Sequence, residues 1–484
     1  MATATHVRIA ILGAGFGGIG AAIRLRQQGY DDFVILDRGD DVGGTWRDNT
    51  YPGCACDVPS HMYSFSFLPN PRWSRSFSPQ PEIWEYLRRC VAEHDLSRHL
   101  RLRHEVHSAT WDGAWIIETS GGTYRADALI VATGPLTEPA LPKLPGLPTF
   151  AGEVFHSARW NHEYDLRGRR VAVVGTGASA IQFVPEIAPD VERMHVFQRT
   201  PPWVMSRVDR PISRLEQRLF RAVPPAQRLA RTAIYWAREL QGTGFLYPVV
   251  MRFGQGMARR HLRQSIADPA LRAKLTPAYT MGCKRVLLSN TYYPTLTRDN
   301  VELVTDTITE VRPDAVVTAD GTARPVDTII FGTGFHVTDA PVAQLVRGRD
   351  SRTLAEAWGG SMRAYLGTTV TGFPNLFILL GPNTGLGHNS VVFMIEAQLN
   401  HILKALRHLD RHGIPAIEPT PRAQQAFVST VDRKMTGTVW LRGGCRSWYL
   451  DTTGRNSTIW PGYSWTFRMR TRRFDPAHYQ AVTS

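Results

Sequence analysis

The sequence lacks a long hydrophobic run. No stretch approaches the ~18 consecutive apolar residues that a membrane-spanning helix requires. The most apolar N-terminal stretch, residues 9–23, is interrupted by glycines and lacks the small-residue cleavage site of a secretory signal peptide. We therefore expect a cytoplasmic protein with no membrane partner.

Cysteine is also scarce. The five cysteines are Cys54, Cys56, Cys90, Cys283 and Cys445. An odd number at scattered positions is typical of a reduced, cytosolic protein rather than of one built on disulfides. Cys54 and Cys56 do not have a metal-binding spacing, and no CxxC pair accompanies them. We therefore expect no metal.

Acidic residues are too few to balance the basic ones. The chain has 42 Asp and Glu against 56 Lys and Arg, a net charge of +14, and arginines cluster at 193–263 and 468–473. Such a charge could attract a nucleic acid or an anionic membrane. Because the sequence has no basic tail, zinc finger or aromatic RNA-binding motif, we favour a solvated arginine-rich surface that also attracts phosphorylated ligands. We expect no nucleic-acid partner.

A glycine-rich motif follows the first predicted strand. Residues 7–12 form that strand and lead into the G-x-G-x-x-G of Gly13, Gly15 and Gly18, which opens an alanine-rich helix. The first glycine permits a tight turn, the second lets a pyrophosphate approach the backbone, and the third lets the helix pack on the strand. The next predicted strand ends at Asp37, where a carboxylate accepts hydrogen bonds from a ribose diol. The pattern predicts a dinucleotide site.

A second motif of the same kind follows the predicted strand 170–174. It reads Gly175-Thr176-Gly177-Ala178-Ser179-Ala180, with alanine in place of the third glycine, a tolerated variant. The next strand leads to Arg199 and Thr200 rather than to an acid. An arginine there pairs with a 2′-phosphate that an acid would repel, so the second site should prefer NADP(H). The alternative is that Arg199 is one more surface arginine.

Two dinucleotide sites in 484 residues predict an α/β flavoprotein with two Rossmann-like domains, for FAD and NADP, and a helical insertion. The predicted strands 127–134 and 327–334, which both end in Thr-Gly, support this pairing, and a helix is predicted over 390–409. The expected organisation is the FAD-binding domain (first part) at 1–141, a linker and the NADP-binding domain (first part) at 142–205, the helical insertion at 206–275, the NADP-binding domain (second part) at 276–340, and the FAD-binding domain (second part) with a C-terminal segment at 341–484.

Several motifs carry a family resemblance. The segment from Phe150 to Asn161, with Gly152, His156 and Trp160, resembles the F-x-G-x-x-x-H-x-x-x-W-(P/D) fingerprint of type I Baeyer–Villiger monooxygenases and departs from it only at Asn161. The resemblance extends from residue 7 to about residue 460. Further matching motifs are Gly43-Gly44-Thr45-Trp46, Tyr51-Pro52-Gly53, Cys56-Asp57, Lys284-Arg285 and Ser447-Trp448-Tyr449.

The resemblance implies a reaction and its residues. In the family, NADPH reduces FAD, O₂ adds to the flavin C4a, and the peroxide attacks a ketone to give an ester or lactone. Arg285 matches the catalytic arginine, whose guanidinium keeps its proton and so stabilises an anion without quenching it. Asp57 matches the aspartate that positions Arg285. The resemblance further implies FAD contacts at Phe16, Thr45, Trp46, Asp57, Tyr63 and Val106, NADP contacts at Lys284, Arg285 and Trp448, and a structural or coupling role for His156 in the linker.

Other interpretations stay open. Asp57 and Arg285 could form an ordinary structural ion pair, and Trp46 and Trp448 could be core residues. A flavin monooxygenase that oxidises amines or sulfides is the enzymatic rival, although its protonated hydroperoxide is disfavoured by Arg285 beside Asp57. A nucleotide-sensing or nucleic-acid-binding protein would keep the glycines but would not need Arg285. The ketone and the oligomeric state, monomer or dimer, stay open.

Overall fold

Two main β-sheets, with helices packed around them, form the framework of the computed structural model, which describes residues 4–482. In this range the strands β1–β20 are, in chain order, Thr5–Leu12, Phe33–Leu36, Leu100–Arg101, Val106–Trp111, Trp115–Thr119, Gly122–Val131, Glu153–His156, Arg170–Val174, Arg193–Phe197, Val204–Met205, Leu287–Leu288, Val301–Val304, Ile308–Arg312, Ala315–Thr318, Ala323–Pro325, Thr328–Phe331, Val346–Arg347, Leu376–Ile378, Ala416–Pro419 and Tyr479–Val482.

The helices surround these sheets. Over the same residues α1–α15 are Phe16–Arg26, Thr45–Asp48, Gln80–Glu93, Ala180–Ile187, Arg214–Ala222, Pro224–Leu246, Met251–Ser265, Pro269–Lys274, Tyr292–Thr295, Val342–Leu345, Leu354–Trp358, Val391–His412, Pro421–Met435, Val439–Arg442 and Ser464–Thr471. None of these helices combines the length and hydropathy of a membrane-spanning segment.

The first sheet has eight strands. Their order is β17-β4-β5-β6-β1-β2-β3, and β18 also pairs with β6. The central strand β1 is parallel to both β2 and β6, with Ile11 opposite Ile35 and Ile130. All three isoleucines are fully buried, as expected for parallel strands covered on both faces. The predicted strand over 33–36 is confirmed.

The second sheet has five strands, all parallel, in the order β12-β9-β8-β16-β7. The strands β8 and β16, predicted within 170–174 and 327–334, lie side by side at its centre. The carboxyl ends of parallel strands are where dinucleotides bind in such sheets, so both glycine motifs start from the edge where the fold places a ligand. The predicted α/β architecture is confirmed.

Helices fill the space between and beside the sheets. α12 begins after Ser390, whose side chain accepts the Val392 N–H, and ends at His412, just before Gly413 with φ +60°. The predicted helix over 390–409 is thus confirmed and slightly longer. α1 packs against α12, which explains why it is buried on almost every side. The stretch between β10 and β11 is helical and consists of α5–α8.

Candidate active site

The first glycine motif forms a tight turn before α1. Gly13 has a φ of +103°, which favours glycine, and its N–H donates to the Leu36 carbonyl at 2.8 Å. A Cβ on Gly18 would clash with the carbonyl oxygen of Gly13. Gly15 precedes the helix without a side-chain capping bond, so the first N–H groups of α1 are available to a phosphate. This turn fits the pyrophosphate of FAD.

Asp37 lies at the end of β2 beside this turn and is 8% exposed. Its carboxylate accepts hydrogen bonds from the N–H groups of Ala14 (2.7 Å) and Gly39 (2.8 Å) and from Arg47 Nη1 (2.7 Å). Because a carboxylate has about four acceptor positions, one remains for a ribose hydroxyl. Val106 starts β4, two residues after His104, whose N–H donates to the Asp37 carbonyl.

Aromatic side chains form a wall next to the turn. Trp46 Nε1 donates to the Tyr63 hydroxyl at 3.2 Å, and the Phe16 and Tyr63 rings lie edge to face at 5.1 Å. Thr45 starts α2 directly after Gly44, whose backbone faces Gly15. The structure therefore brings Phe16, Thr45, Trp46 and Tyr63 together at one site, as expected for a cleft that holds a flat ring system.

The second glycine motif repeats the turn before α4. Gly175 has a φ of +109°, and a Cβ there would lie 2.5 Å from the Gly332 carbonyl oxygen. Alanine at position 332 would bring its Cβ to 3.3 Å from that of Ala180, which explains why glycine stands here where the first segment, 127–134, has Ala132. Ser179 is the N-cap residue of α4, and its side chain accepts no hydrogen bond from the N–H groups at the start of the helix. Thr176, Gly177 and Ala178 complete the turn.

Two cations lie together beside this second turn. Arg199 follows β9 and is exposed, Thr200 is partly buried, and Lys284 is half-buried with its Nζ 5.2 Å from the centre of the Tyr279 ring. Burial, followed by the positive charge of Arg199, lowers the pKa of Lys284. Neither cation forms an ion pair with an acid within residues 4–482. Two close, unneutralised cations fit the 2′-phosphate of NADP.

Asp57 and Arg285 form a bidentate ion pair between the two turns. Arg285 Nε donates to Asp57 Oδ2 at 2.6 Å and Nη2 donates to Oδ1 at 2.7 Å. The side chains are 27% and 32% exposed. Burial is the largest influence on the pKa of Asp57 and raises it, but the charge of Arg285 and the hydrogen bonds to the carboxylate together outweigh burial and hold this pKa below its ordinary value. The charge of Asp57 in turn raises the pKa of Arg285, so both groups stay ionised at neutral pH.

The segment that carries Asp57 is fixed against the second nucleotide site. Gln182 on α4 accepts from the Tyr51 hydroxyl at 3.0 Å and donates to the Ala55 carbonyl at 3.0 Å. Arg207 donates to the Cys56 carbonyl at 3.2 Å. The segment before Asp57 thus rests on α4, the helix that follows the second glycine motif, which places Asp57 beside the second nucleotide site.

Two residues at the ion pair were missed by the sequence analysis. Tyr449 is fully buried, and its pKa is raised by burial to about 12 although the charge of Arg285 opposes the rise. Arg238 on α6 lies close enough for its charge to lower the pKa of Asp57. Tyr449 belongs to the Ser447-Trp448-Tyr449 motif and could have been found there, whereas nothing in the sequence marks Arg238 among so many arginines.

The linker fingerprint occupies the edge of the second sheet. His156 ends β7 opposite Phe331, and its Nδ1 accepts the Ala158 N–H at 3.1 Å. Burial lowers the pKa of His156 to about 4, so the ring is neutral at physiological pH. Trp160 packs on Phe155 and Phe183, Phe150 packs on a neighbouring core cluster, and a Cβ on Gly152 would clash with the Asp327 carbonyl.

The cysteine expectation was wrong in one respect. Cys283 and Cys445 form a disulfide, and Cys54, Cys56 and Cys90 are free and buried. The disulfide joins two segments 162 residues apart, a proximity that sequence spacing cannot reveal.

Trp448 is 45% exposed and lies against Tyr449, so it is not a core residue. Within residues 4–482 no cluster of three His, Cys, Asp or Glu is suited to a metal ion.

Comparisons with known proteins identify the family. The family model described as "Flavin-binding monooxygenase-like" matches residues 6–220. A Baeyer-Villiger monooxygenase of Streptomyces coelicolor is 54% identical over 482 residues, 99% of this chain and 93% of that protein. The NADP+-bound cyclohexanone monooxygenase from Rhodococcus sp. Phi1 superposes with a TM-score of 0.87 at 30% identity over 100% of both chains.

A second solved structure carries both nucleotides. The complex of OTEMO with FAD and NADP has a TM-score of 0.88 at 28% identity and covers 99% of this chain and 100% of that one. These similarities confirm the two-nucleotide α/β fold and the resemblance that the linker fingerprint indicated. The chain belongs to the Baeyer–Villiger monooxygenase family of flavin-binding monooxygenases.

Proposed function

We propose that the chain is an oxidoreductase that uses NADPH and O₂ to insert one oxygen atom next to a ketone carbonyl, which gives an ester or a lactone. The observation that carries this proposal is the partly buried, bidentate Asp57–Arg285 pair between two dinucleotide-binding turns. The Baeyer-Villiger monooxygenase named above is similar over nearly the whole chain. Because the two sequences are similar over 99% of this chain, the comparison supports the same activity here.

FAD and NADPH are the cofactors. FAD reduced by NADPH activates O₂, and the chain supplies the surroundings for that chemistry. The turn at Gly13–Gly18 and the carboxylate of Asp37 hold the dinucleotide, and Phe16, Trp46 and Tyr63 exclude water from one side of the cleft. Arg199 and Lys284 select NADPH because a 2′-phosphate needs a positive partner.

Arg285 is the electrostatic group of the reaction. Attack on a ketone carbonyl places negative charge on oxygen, and a fixed guanidinium stabilises that charge without giving up a proton. Asp57 holds both donors of Arg285 in one orientation, which keeps the charge at one place in the cleft. Tyr449 closes the site beside the pair. Oxidation of an amine or sulfide requires a protonated oxygen donor, so the pair favours ketones.

The remaining assignments are parts of the same proposal. We assign the first and last portions of the chain, 1–141 and 341–484, to the FAD-binding domain, and 142–205 and 276–340 to the NADP-binding domain.

The protein acts as a monomer or dimer without nucleic acid. Dependence on NADPH, which cells regenerate internally, supports a cytoplasmic site, although a disulfide is unusual there. The thiol state of Cys283 in freshly lysed cells tests the location.

Activity with a ketone panel tests the proposed function. The purified holoenzyme should be yellow and should convert cyclic, aryl or long-chain ketones to esters, with one NADPH consumed per ester formed. A panel of sulfides and amines run in parallel separates the two chemistries. If no ketone in the panel is converted to an ester while sulfides or amines are oxidised efficiently, the proposal is overturned.

A further inference from the structure

The outer face of α6 is apolar and exposed. Leu229, Trp236, Leu240 and Tyr247 are 71%, 56%, 75% and 61% exposed. The first three are seven and four positions apart, a spacing that places them along one side of a helix, and Tyr247 directly follows the last residue of α6. An isolated exposed leucine is ordinary, but a stripe several turns long is typical of a binding surface.

The neighbouring helices extend this surface. Leu215 and Leu219 on α5 are 76% and 49% exposed, and α5 packs beside α6. At the turn from α6 to α7, Val249 and Phe253 are 70% and 77% exposed. We call the outer face of α5, α6 and the start of α7 the apolar face.

Other residues of α6 attach the helix to the body of the protein. Glu239 is 2% exposed and accepts hydrogen bonds from Asn389 and from the backbone and hydroxyl of Ser464. Gly242 packs against His388. Since the inner side of α6 is fixed to the body of the protein, the apolar face is a stable outward surface.

The same region carries most of the net charge. Residues 206–275 contain fourteen Lys and Arg and only four Asp and Glu, so they account for ten of the fourteen net positive charges. The acids are largely used within the fold, since Asp209 pairs with Arg75 and Glu216 with Arg210. Several exposed arginines form no ion pair within the described residues: Arg214, Arg218, Arg221, Arg228, Arg252 and Arg260.

We propose that the apolar face docks on the surface of an anionic lipid membrane. Helices that lie in a membrane interface combine exposed Trp, Phe and Leu with arginines beside them, and anionic headgroups attract such arginines. A second copy of the chain would bring two strongly positive surfaces together, which like charges oppose. A polynucleotide would match the arginines but offers no partner to Leu229, Leu240 and Val249. Surface docking needs no spanning helix, so the proposal departs from the sequence-based expectation of no membrane partner, which rested on the lack of a long apolar run.

Co-sedimentation of the holoenzyme with vesicles tests the proposal. The protein should bind phosphatidylglycerol vesicles and should bind phosphatidylcholine vesicles at least about tenfold more weakly. Raising the salt from 0.05 M to 0.5 M should weaken binding, because screening shortens the range of the charge attraction. Binding of a fluorescent oligonucleotide, measured over the same range of salt, tests a polynucleotide as the partner. A sedimentation-velocity run tests a second copy of the chain.

Two sets of substitutions separate the apolar and the charge contributions. Trp236→Ser with Leu240→Ser and Phe253→Ser should lower vesicle affinity about tenfold or more while FAD content and ketone oxidation in solution stay unchanged. Arg218→Glu with Arg221→Glu and Arg252→Glu should do the same and should remove the salt dependence. The matched controls lie on other exposed surfaces: Leu141→Ser with Met469→Ser, and Arg125→Glu with Arg411→Glu and Arg422→Glu.

Three results would overturn the proposal. One is failure of the wild-type protein to bind anionic vesicles. Another is equal loss of binding in the control sets, since a general charge effect would explain it without the apolar face. The third is evidence that the face belongs to a different partner, either a dimer that the apolar substitutions convert to monomer or oligonucleotide binding that exceeds vesicle binding.

Discussion

Arg285 is held by geometry as well as by charge. Its two donors meet both oxygens of Asp57 at 2.6 and 2.7 Å, and such a planar fork cannot be reproduced by the single ammonium of lysine. Burial works against ionising Asp57, and the neighbouring guanidinium overcomes it. The pair is therefore a permanent dipole, fixed before any substrate arrives.

Replacing Arg199 should change the choice of nicotinamide cofactor. In the proposed NADP site, Arg199→Ala removes one charged contact to the 2′-phosphate, and such a contact is worth about 1.5–3 kcal/mol, or roughly 10- to 150-fold in affinity. The Michaelis constant for NADPH should rise by this factor while that for NADH stays nearly the same. Arg125→Ala, at an exposed arginine on β6, serves as the control. Equal effects on NADPH and NADH would contradict the role of Arg199.

At the scale of elements, the sequence predicts those strands and helices that are determined by residues close together in the chain. The strands around Ile11 and Val173 and the helix after Ser390 follow from runs of apolar residues and from a capping serine, so they could be located in the sequence. Tyr449 lies in the Ser447-Trp448-Tyr449 motif, which marks it. The position of Arg238 at the ion pair could not be located, because it depends on how the helices α5–α8 fold back on the body. The Cys283–Cys445 bond escaped prediction for the same reason.

The disulfide should hold the segment of Arg285 to the segment of Tyr449. Cys283 lies two residues before Arg285, and Cys445 lies four residues before Tyr449. Breaking the bond by Cys283→Ser with Cys445→Ser should lower the free energy of unfolding by about 2–4 kcal/mol, the usual contribution of a native disulfide. Denaturant titration measures the loss, with Cys90→Ala, at a free cysteine, as a comparison. An unchanged midpoint in the double variant would mean that the bond contributes nothing.

At the scale of the whole molecule, buried histidines link stability to pH. Burial lowers the pKa of His61, His156 and His401 to about 4, from an ordinary value of 6.5. Between these values the unfolded chain takes up protons that the folded chain does not. Stability from this source is complete above pH 6.5 and is lost as the pH falls toward 4.

Acid should therefore destabilise the protein before its carboxylates titrate. Each of the three histidines should lower the free energy of unfolding by about 1.4 kcal/mol per pH unit between pH 6.5 and 4. His401→Gln should remove the contribution of one histidine from the slope of unfolding free energy against pH. His107→Gln, at an exposed position, should leave this slope unchanged. Denaturant titrations at half-unit steps of pH give the slope, and a flat profile in the wild type would rule out this linkage.

In the proposed function the fold brings one ion pair between two nucleotide sites, and Arg285→Ala tests that account most directly. The variant should fold, keep FAD and stay yellow, because Arg285 is not part of the Gly13–Gly18 turn. Ester formation from a ketone should fall at least 100- to 1,000-fold, the effect of removing one electrostatic stabiliser, or ~2.7–4 kcal/mol. Arg285→Lys should restore only part of it. Oxygen consumed with NADPH should instead appear as hydrogen peroxide. An Arg285→Ala enzyme that forms ester at nearly the wild-type rate would contradict the account.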